Sequence, residues 1–89
     1  MRYAVYFDGL HTADAVFDFK ETAIGHADDN VYGDYVKYAL VLAEDSYGSR
    51  HVIYETGVPP ENVDVASTHT RIEPGIRVRL SPLAERVAA

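Results

Sequence analysis

Two carboxylates and two histidines in the first third of the chain are the side chains best suited to chemistry: Asp8, His11, His26 and Asp28. Carboxylate and imidazole groups that lie together can bind a divalent metal or transfer protons during hydrolysis. However, the chain has no His-x-His or His-x-x-x-His pair, the spacings that prepare two imidazoles for one metal ion. It also has no cysteine, no Gly-x-Ser-x-Gly motif and no glycine-rich phosphate loop. A small hydrolase or metal-dependent enzyme is therefore the alternative hypothesis, and the favoured prediction is a protein without catalytic residues, metal or cofactor.

A second group of side chains is basic and is suited to binding anions. Two strands are predicted on either side of Glu73-Pro74-Gly75, as a hairpin that pairs Ile72 with Ile76. This register would place four basic side chains on one face: His69, Arg71, Arg77 and Arg79. Such a face can bind phosphate or carboxylate, although alternating arginines are also usual on the solvated side of a sheet. Because no aromatic residue alternates with them, single-stranded nucleic acid is not the expected ligand.

Charge is distributed unevenly along the chain, whose formal net charge is −6. Residues 1–45 contain nine acidic and three basic residues, whereas residues 46–89 contain five of each. An excess of carboxylates opposes binding to nucleic acid or to anionic membranes, because affinity for phosphate comes from lysine and arginine. The expected partner is therefore a protein with a basic surface, without direct contact to nucleic acid or membrane.

Residues 30–47 show a helical periodicity. Their apolar side chains recur at spacings of three and four and would fall on one side of a helix: Val31, Tyr32, Tyr35, Val36, Ala39, Leu42, Ala43 and Tyr47. Asp29 is a suitable N-cap for this helix, and Gly48 is a suitable residue to end it. The outer face would carry two exposed apolar side chains between carboxylates: Asp34, Tyr38, Val41 and Asp45.

An apolar pair with a charged rim is typical of a small protein interface. With the neighbouring carboxylates, it gives the predicted partner-binding surface: Asp28, Asp29, Asp34, Tyr38, Val41, Glu44 and Asp45. A solvated helix face without a partner is the alternative, since isolated exposed apolar residues are common. If the surface does bind, its negative charge would attract a basic partner and speed the encounter.

The rest of the chain is predicted to form short strands and turns. Alternating apolar residues favour strands over residues 2–8, 15–19 and 51–55, and a helix from Thr12 to Gly25 is the alternative for the second. Residues 57–62 are predicted to be a loop, because two prolines fix the backbone there, and Ser81-Pro82 is a suitable helix start. The predicted fold is a single α+β domain over residues 1–89. In it, an antiparallel sheet of about four to five strands, in the order β-β-α-β-β-β, packs against one central amphipathic helix.

The opening sequence MRYAVYF (residues 1–7), followed by a second strand and an amphipathic helix, resembles the HicB-type antitoxin domain over roughly the first half of the chain. The Pro-Asp-Leu-Pro-Gly-like segment of that family is replaced by ETAIG (residues 21–25), so no functional residue is carried over. The acidic, tyrosine-rich composition is also similar to that of many small inhibitors from phages and mobile elements. The opening apolar run is too short for a signal peptide, and no stretch approaches the ~18–20 apolar residues of a membrane span, so a cytoplasmic location is expected.

These observations predict a non-catalytic protein-binding module whose acidic surface docks on a basic surface of a partner. If that surface normally holds nucleic acid, carboxylates that stand in for phosphates would make the protein an inhibitor. A structural subunit of a larger assembly is a further alternative. Self-association into homo-oligomers is a separate alternative, in which the basic hairpin of one copy meets the acidic helix of the next, a contact that must close into a ring or grow indefinitely.

Overall fold

The computed structural model describes residues 1–65 and 70–81. Its elements in chain order are β1 (Arg2–Phe7), β2 (Ala15–Phe17), α1 (Lys20–Tyr32), β3 (Tyr38–Glu44), β4 (Arg50–Gly57), β5 (Asn62–Val63), β6 (Thr70–Ile72) and β7 (Arg79–Leu80). The predicted α+β class is confirmed, because one helix packs against a sheet of five strands.

The five-stranded sheet is mixed. Its strand order is β2-β1-β3-β4-β6, in which the first three pairings are antiparallel and β6 runs parallel to β4. β5 and β7 form a separate parallel pair. Parallel neighbours require a crossover connection rather than a tight turn, and the predicted loop between β4 and β5 is present at the start of that crossover. The antiparallel prediction is therefore correct for β1 to β4 and wrong for β6.

The sheet is buried on both faces. On one face α1 packs against the sheet through two alanines and apolar strand residues: Ala23, Ala27, Val5, Phe7, Ala39 and Val41. The opposite face is covered by the chain that follows β4, and the buried residues of this second core are Tyr6, Tyr38, Leu40, Leu42, Val52, Val63, Val65, Val78 and Leu80. As a result the central strand, β3, is buried at every position except its last.

The predicted helix over residues 30–47 is wrong. α1 ends at Tyr32, and residues 38–44 form β3. A strand that is covered on both faces is apolar at nearly every position, and such a run satisfies helical spacings as well as strand spacings. Gly48 has a φ of +84°, but it closes the turn between β3 and β4, where its N–H donates to the carbonyl of Asp45 at 3.2 Å.

The helix of the structure begins at Lys20, directly after the short strand β2. The strand predicted around Ala15 and Phe17 is confirmed, but Phe19 is the exposed N-cap residue of α1. The only buried residues of α1 are Ala23 and Ala27. Small buried residues give a weak apolar signal, so periodicity does not reveal this helix.

The strands predicted over residues 2–8 and 51–55 are confirmed as β1 and β4. The predicted hairpin around residues 73–75 is wrong in its pairing. A turn is present, since the N–H of Ile76 donates to the carbonyl of Glu73 at 3.3 Å, but β6 pairs with β4 and β7 pairs with β5. The helix predicted from Ser81-Pro82 lies almost wholly outside the described residues. Within residues 1–65 and 70–81, no helix has the length and apolar character that crossing a membrane requires.

Candidate functional site

The predicted partner-binding residues do not form one stripe. Tyr38 and Val41, expected to be exposed, are 1% and 0% exposed because they lie on β3 between the two cores. Glu44 lies at the end of β3, 3.7 Å from each of the guanidinium groups of Arg2 and Arg50. The carboxylate of Asp45 accepts from two backbone amides of the β3–β4 turn, at 2.8 and 3.0 Å.

The other three predicted carboxylates, Asp28, Asp29 and Asp34, lie at the opposite end of β3, where α1 ends. β3 separates the two groups by about 20 Å, given a rise of ~3.4 Å per strand residue. Only the group at the end of α1 remains a candidate for partner binding by concentrated negative charge. We call this surface the acidic helix end and define it by Asp28, Asp29, Tyr32, Asp34 and Tyr35.

The backbone of the acidic helix end follows a Schellman-type motif. The N–H of Tyr35 donates to the carbonyl of Asn30 at 3.0 Å, and the N–H of Asp34 donates to the carbonyl of Val31 at 3.1 Å. Asp34 occupies the left-handed position of this motif, with a φ of +61°. Glycine is the usual residue there, because any Cβ is crowded in that conformation. Gly33 precedes it with an ordinary φ of −83°.

The charges of the acidic helix end are not compensated within the described part of the chain. The last turn of α1 contains no basic residue, and neither Asp29 nor Asp34 takes part in an ion pair among residues 1–65 and 70–81. The C-terminal end of a helix already carries partial negative charge, so carboxylates there reduce stability. Tyr32 and Tyr35 beside them are 75% and 81% exposed. The surface therefore combines aromatic contact area with unbalanced negative charge.

Asp28 connects this surface to the sheet. Its carboxylate accepts a hydrogen bond from the hydroxyl of Tyr54, on β4, at 2.7 Å. This hydrogen bond is the main cause that raises the pKa of Tyr54 to about 12. This hydrogen bond holds the last turns of α1 against β4. The neighbouring exposed side chains therefore belong to a helix end that is attached to the sheet.

Replacement of Asp34 by glycine is expected to raise the free energy of unfolding by about 1 kcal/mol, because it removes both the crowded Cβ and the charge at the negative helix end. Asp34→Asn is the matched control. It removes the charge but keeps the side chain, so we expect a gain of about 0.5 kcal/mol. Urea unfolding of the three proteins measures the difference. A glycine variant less stable than the wild type would contradict this account of the helix end.

The four residues of the enzyme hypothesis each contact a different partner. The carboxylate of Asp8 accepts from the backbone N–H groups of residues 37 and 38, both at 3.0 Å. His11 lies 3.8 Å from Asp64, and His26 lies 3.1 Å from Asp14. Asp28 is bound to Tyr54, as described above. Among residues 1–65 and 70–81, no cluster of three or more His, Asp or Glu side chains is placed to hold a metal ion.

The predicted basic face is also divided between elements. Arg71 lies on β6 and Arg79 on β7, which belong to different sheets. Arg77 lies between them and is paired with Glu55, from which its guanidinium is 2.9 Å distant. His69 lies outside the described residues. The four side chains therefore do not line one strand pair, and Arg71 is discussed below with a different set of neighbours.

Glu55 is a largely buried carboxylate that joins Tyr38 and Arg77 through hydrogen bonds, a role that the sequence did not indicate. One of its oxygens accepts from the hydroxyl of Tyr38 at 2.7 Å, and the other accepts from the backbone and side chain of Arg77, each at 2.9 Å. Burial alone would raise the pKa of Glu55, but the hydrogen bonds from Arg77 and Tyr38 outweigh it and lower the pKa below its ordinary value of 4.5. Burial, assisted by the bond to Glu55, raises the pKa of Tyr38 far above 10.0.

Sequence reasoning missed the exposure of Tyr32 and Tyr35, which it placed among the apolar residues of the predicted helix. The signal that could have corrected it is Gly33-Asp34, because a glycine followed by a residue that tolerates the left-handed conformation is a helix stop. Position 33 also leaves little space for a side chain. An added Cβ would lie 2.9 Å from the carbonyl oxygen of Asp29 and 3.0 Å from the ring of Tyr35.

In comparisons with known proteins, no protein-family model, curated protein sequence or solved structure matches the chain.

Proposed function

We propose that this protein is a non-catalytic protein-binding module that docks through its acidic helix end on a basic surface of a partner protein. The proposal rests on the position and charge of Asp34. It holds a left-handed backbone conformation that favours glycine, at a helix end that favours positive charge, without an ion pair in the described residues. Aspartate tolerates this conformation better than most residues, but its charge is unfavourable at this helix end, and a role outside the fold explains a carboxylate there.

The neighbouring side chains supply the other parts of an interface. Tyr32 and Tyr35 offer large apolar rings with polar tips, which are enriched at binding surfaces. Asp29 and Asp34 form the charged rim that steers a basic partner and selects against acidic ones. Asp28, bound to Tyr54, holds the surface against the sheet, so less ordering is needed on binding.

If the partner surface normally holds nucleic acid, the proposed activity is inhibition by competition. Carboxylates spaced along one helix end would occupy arginine and lysine side chains that otherwise contact phosphates. Because both competitors are anionic, binding should weaken as salt concentration rises.

The test begins with affinity capture on the immobilised wild-type chain, from an extract of the cells that encode it, at low and high salt. The captured protein is then purified, and its affinity is measured for the wild type and for the double variant Asp29→Lys, Asp34→Lys. We expect the charge reversal to weaken binding by about tenfold or more, since at least two favourable contacts become repulsive. Displacement of nucleic acid from the captured protein by the wild-type chain tests the inhibitor part of the proposal.

The matched control is Asp18→Lys, Glu21→Lys. It changes the net charge by the same amount at the other end of α1, with Asp18 just before the helix and Glu21 in its first turn, about 20 Å away at ~1.5 Å per helical residue. The control should bind nearly as well as the wild type. Undiminished affinity of the reversed variant, or an equal loss in the control, would overturn the proposal. Oligomers of the purified chain that disappear in the reversed variant would identify a second copy as the occupant and would also overturn it.

A further inference from the structure

A cleft of about 510 Å³ lies on the helix-side face of the sheet, at the end of α1 opposite to the acidic helix end. α1 begins at Lys20 and leaves part of this face uncovered. The uncovered part is crossed by one row of residues from four adjacent strands, paired in register as Tyr3 with Ala43, Ala43 with His51, and His51 with Arg71. All four line the cleft, together with Lys20 and Ile53.

The cleft has an apolar floor and cationic walls. Tyr3, Ala43 and Ile53 come from the middle of the sheet and supply the floor. Lys20, the first residue of α1, lies on one side of the cleft. Arg71, on the edge strand β6, lies on the other side. A cleft that combines apolar surface with converging charged and polar groups suits a small polar ligand, and the volume lies within the ~300–1,000 Å³ that is usual for small-molecule pockets.

The two cations lack carboxylate partners although the chain has an excess of carboxylates. The sequence contains 14 acidic and 8 basic residues, yet neither Lys20 nor Arg71 forms an ion pair within the described ranges. By contrast, His51 between them lies 2.6 Å from Glu73. A third cation in the lining, Arg50, lies 3.7 Å from Glu44. Asp45 also lines the cleft, and one of its carboxylate oxygens accepts from two amides of the β3–β4 turn. Lys20 and Arg71, the two lining cations without an ion pair in the described residues, therefore face one cleft across an aromatic and aliphatic floor.

We propose that this cleft binds a nucleoside monophosphate, with the phosphate between Lys20 and Arg71 and the base over Tyr3 and Ile53. The guanidinium group of arginine matches the geometry of phosphate oxygens, and lysine adds a point charge. A planar base contributes stacking area on the tyrosine ring. A mononucleotide is favoured over a long strand, because the net charge of −6 repels an extended polyanion.

The site is independent of the proposed protein-binding surface. It lies at the other end of α1 and uses none of its residues, so either proposal can fail without the other. The test is calorimetric titration of the purified full chain with adenosine monophosphate, with adenosine and inorganic phosphate as separate probes. We expect adenosine monophosphate to bind more tightly than either fragment, because only the whole molecule uses both the floor and the cations.

The variant Lys20→Ala, Arg71→Ala should weaken binding of adenosine monophosphate by about tenfold or more, since two charged contacts to one phosphate are lost. The control Lys37→Ala, Arg79→Ala removes the same charge at exposed positions that do not line the cleft, and it should retain wild-type affinity. Circular dichroism should show the same fold in all three proteins, because all four substituted side chains are exposed.

The ligand could be a free nucleotide or the end of a nucleic-acid strand. To distinguish them, the affinity for a short oligonucleotide that ends in a phosphate is compared with the affinity for adenosine monophosphate. Tighter binding of the oligonucleotide would overturn the choice of a free nucleotide. No heat of binding with adenosine monophosphate, or an equal loss of affinity in the control variant, would overturn the site itself.

Discussion

Replacement of Gly57 by alanine is expected to lower the free energy of unfolding by about 3 kcal/mol. Two costs contribute: the unfavourable left-handed backbone conformation, and the steric overlap of the added Cβ with neighbouring atoms in a packed region. Gly57 is the last residue of β4 and pairs with Tyr38, the first residue of β3. Its φ is +93°, and an added Cβ would overlap the carbonyl oxygen of Lys37 and lie only 3.0 Å from the carbonyl carbon. That carbonyl also accepts from the N–H of Val58 at 2.9 Å, so moving it breaks a hydrogen bond.

Gly75→Ala is the matched control for this substitution. Gly75 has nearly the same φ, +95°, but among the described residues no atom beyond its two chain neighbours lies within 4 Å of the position of its Cβ. We expect its replacement to cost about 1 kcal/mol, from the backbone conformation alone. Chemical denaturation of both variants separates the two contributions. Equal losses of stability would mean that the contact with Lys37 is relieved at little cost.

The second large effect is expected at Glu55. Glu55→Gln should lower the free energy of unfolding by about 2 kcal/mol at neutral pH, because the amide replaces a charged acceptor that serves three donors in a buried position. The side chain of Glu55 is only 7% exposed, and it links Tyr38 of the central strand to Arg77 of the layer that covers it. Glu61→Gln makes the same chemical change at an exposed carboxylate and should alter stability by less than about 0.5 kcal/mol.

The effect of Glu55 should depend on pH in a defined direction. Its pKa in the folded protein lies below 4.5, so the folded state binds the proton less readily than the unfolded state does. The contribution of Glu55 to stability is therefore complete above about pH 4.5 and is lost as the pH falls through the lowered folded value. Denaturation from neutral to acidic pH should show the wild type and Glu55→Gln converging. A stability difference that stays constant down to acidic pH would contradict the assignment.

The parts of the fold that the sequence predicts are those marked by their own local residues. β1 was found from the spacing of Tyr3, Val5 and Phe7, β4 from the strand-forming residues after position 51, and the loop after β4 from its prolines, which restrict the backbone. β3 was mistaken for a helix because both of its faces are covered. The second cover comes from residues after position 62, far along the chain, and a local pattern carries no information about such a partner.

The candidate site was predicted only in part for the same reason. Asp28, Asp29 and Asp34 were predicted at the start of a helix, whereas in the structure they lie around the end of α1; their role in binding stays a prediction. Tyr38 and Val41 were assigned to the surface because β3 was predicted to be a helix, and these two residues would lie on the outer face of that helix. The cleft could not be predicted, since Tyr3, Lys20 and Arg71 become neighbours only through the strand order of the sheet.

The strand order also bears on how the protein resists aggregation. The two edges of the five-stranded sheet are β2 and β6, each of only three residues. Asp14 and Asp18 flank β2, β6 carries Arg71, and Glu73 directly follows β6. An incoming strand from another molecule would find few free backbone groups at either edge and would bring its own side chains against these charges. The long apolar strand β3, the segment of the chain best suited to cross-β stacking, is kept two strands away from each edge.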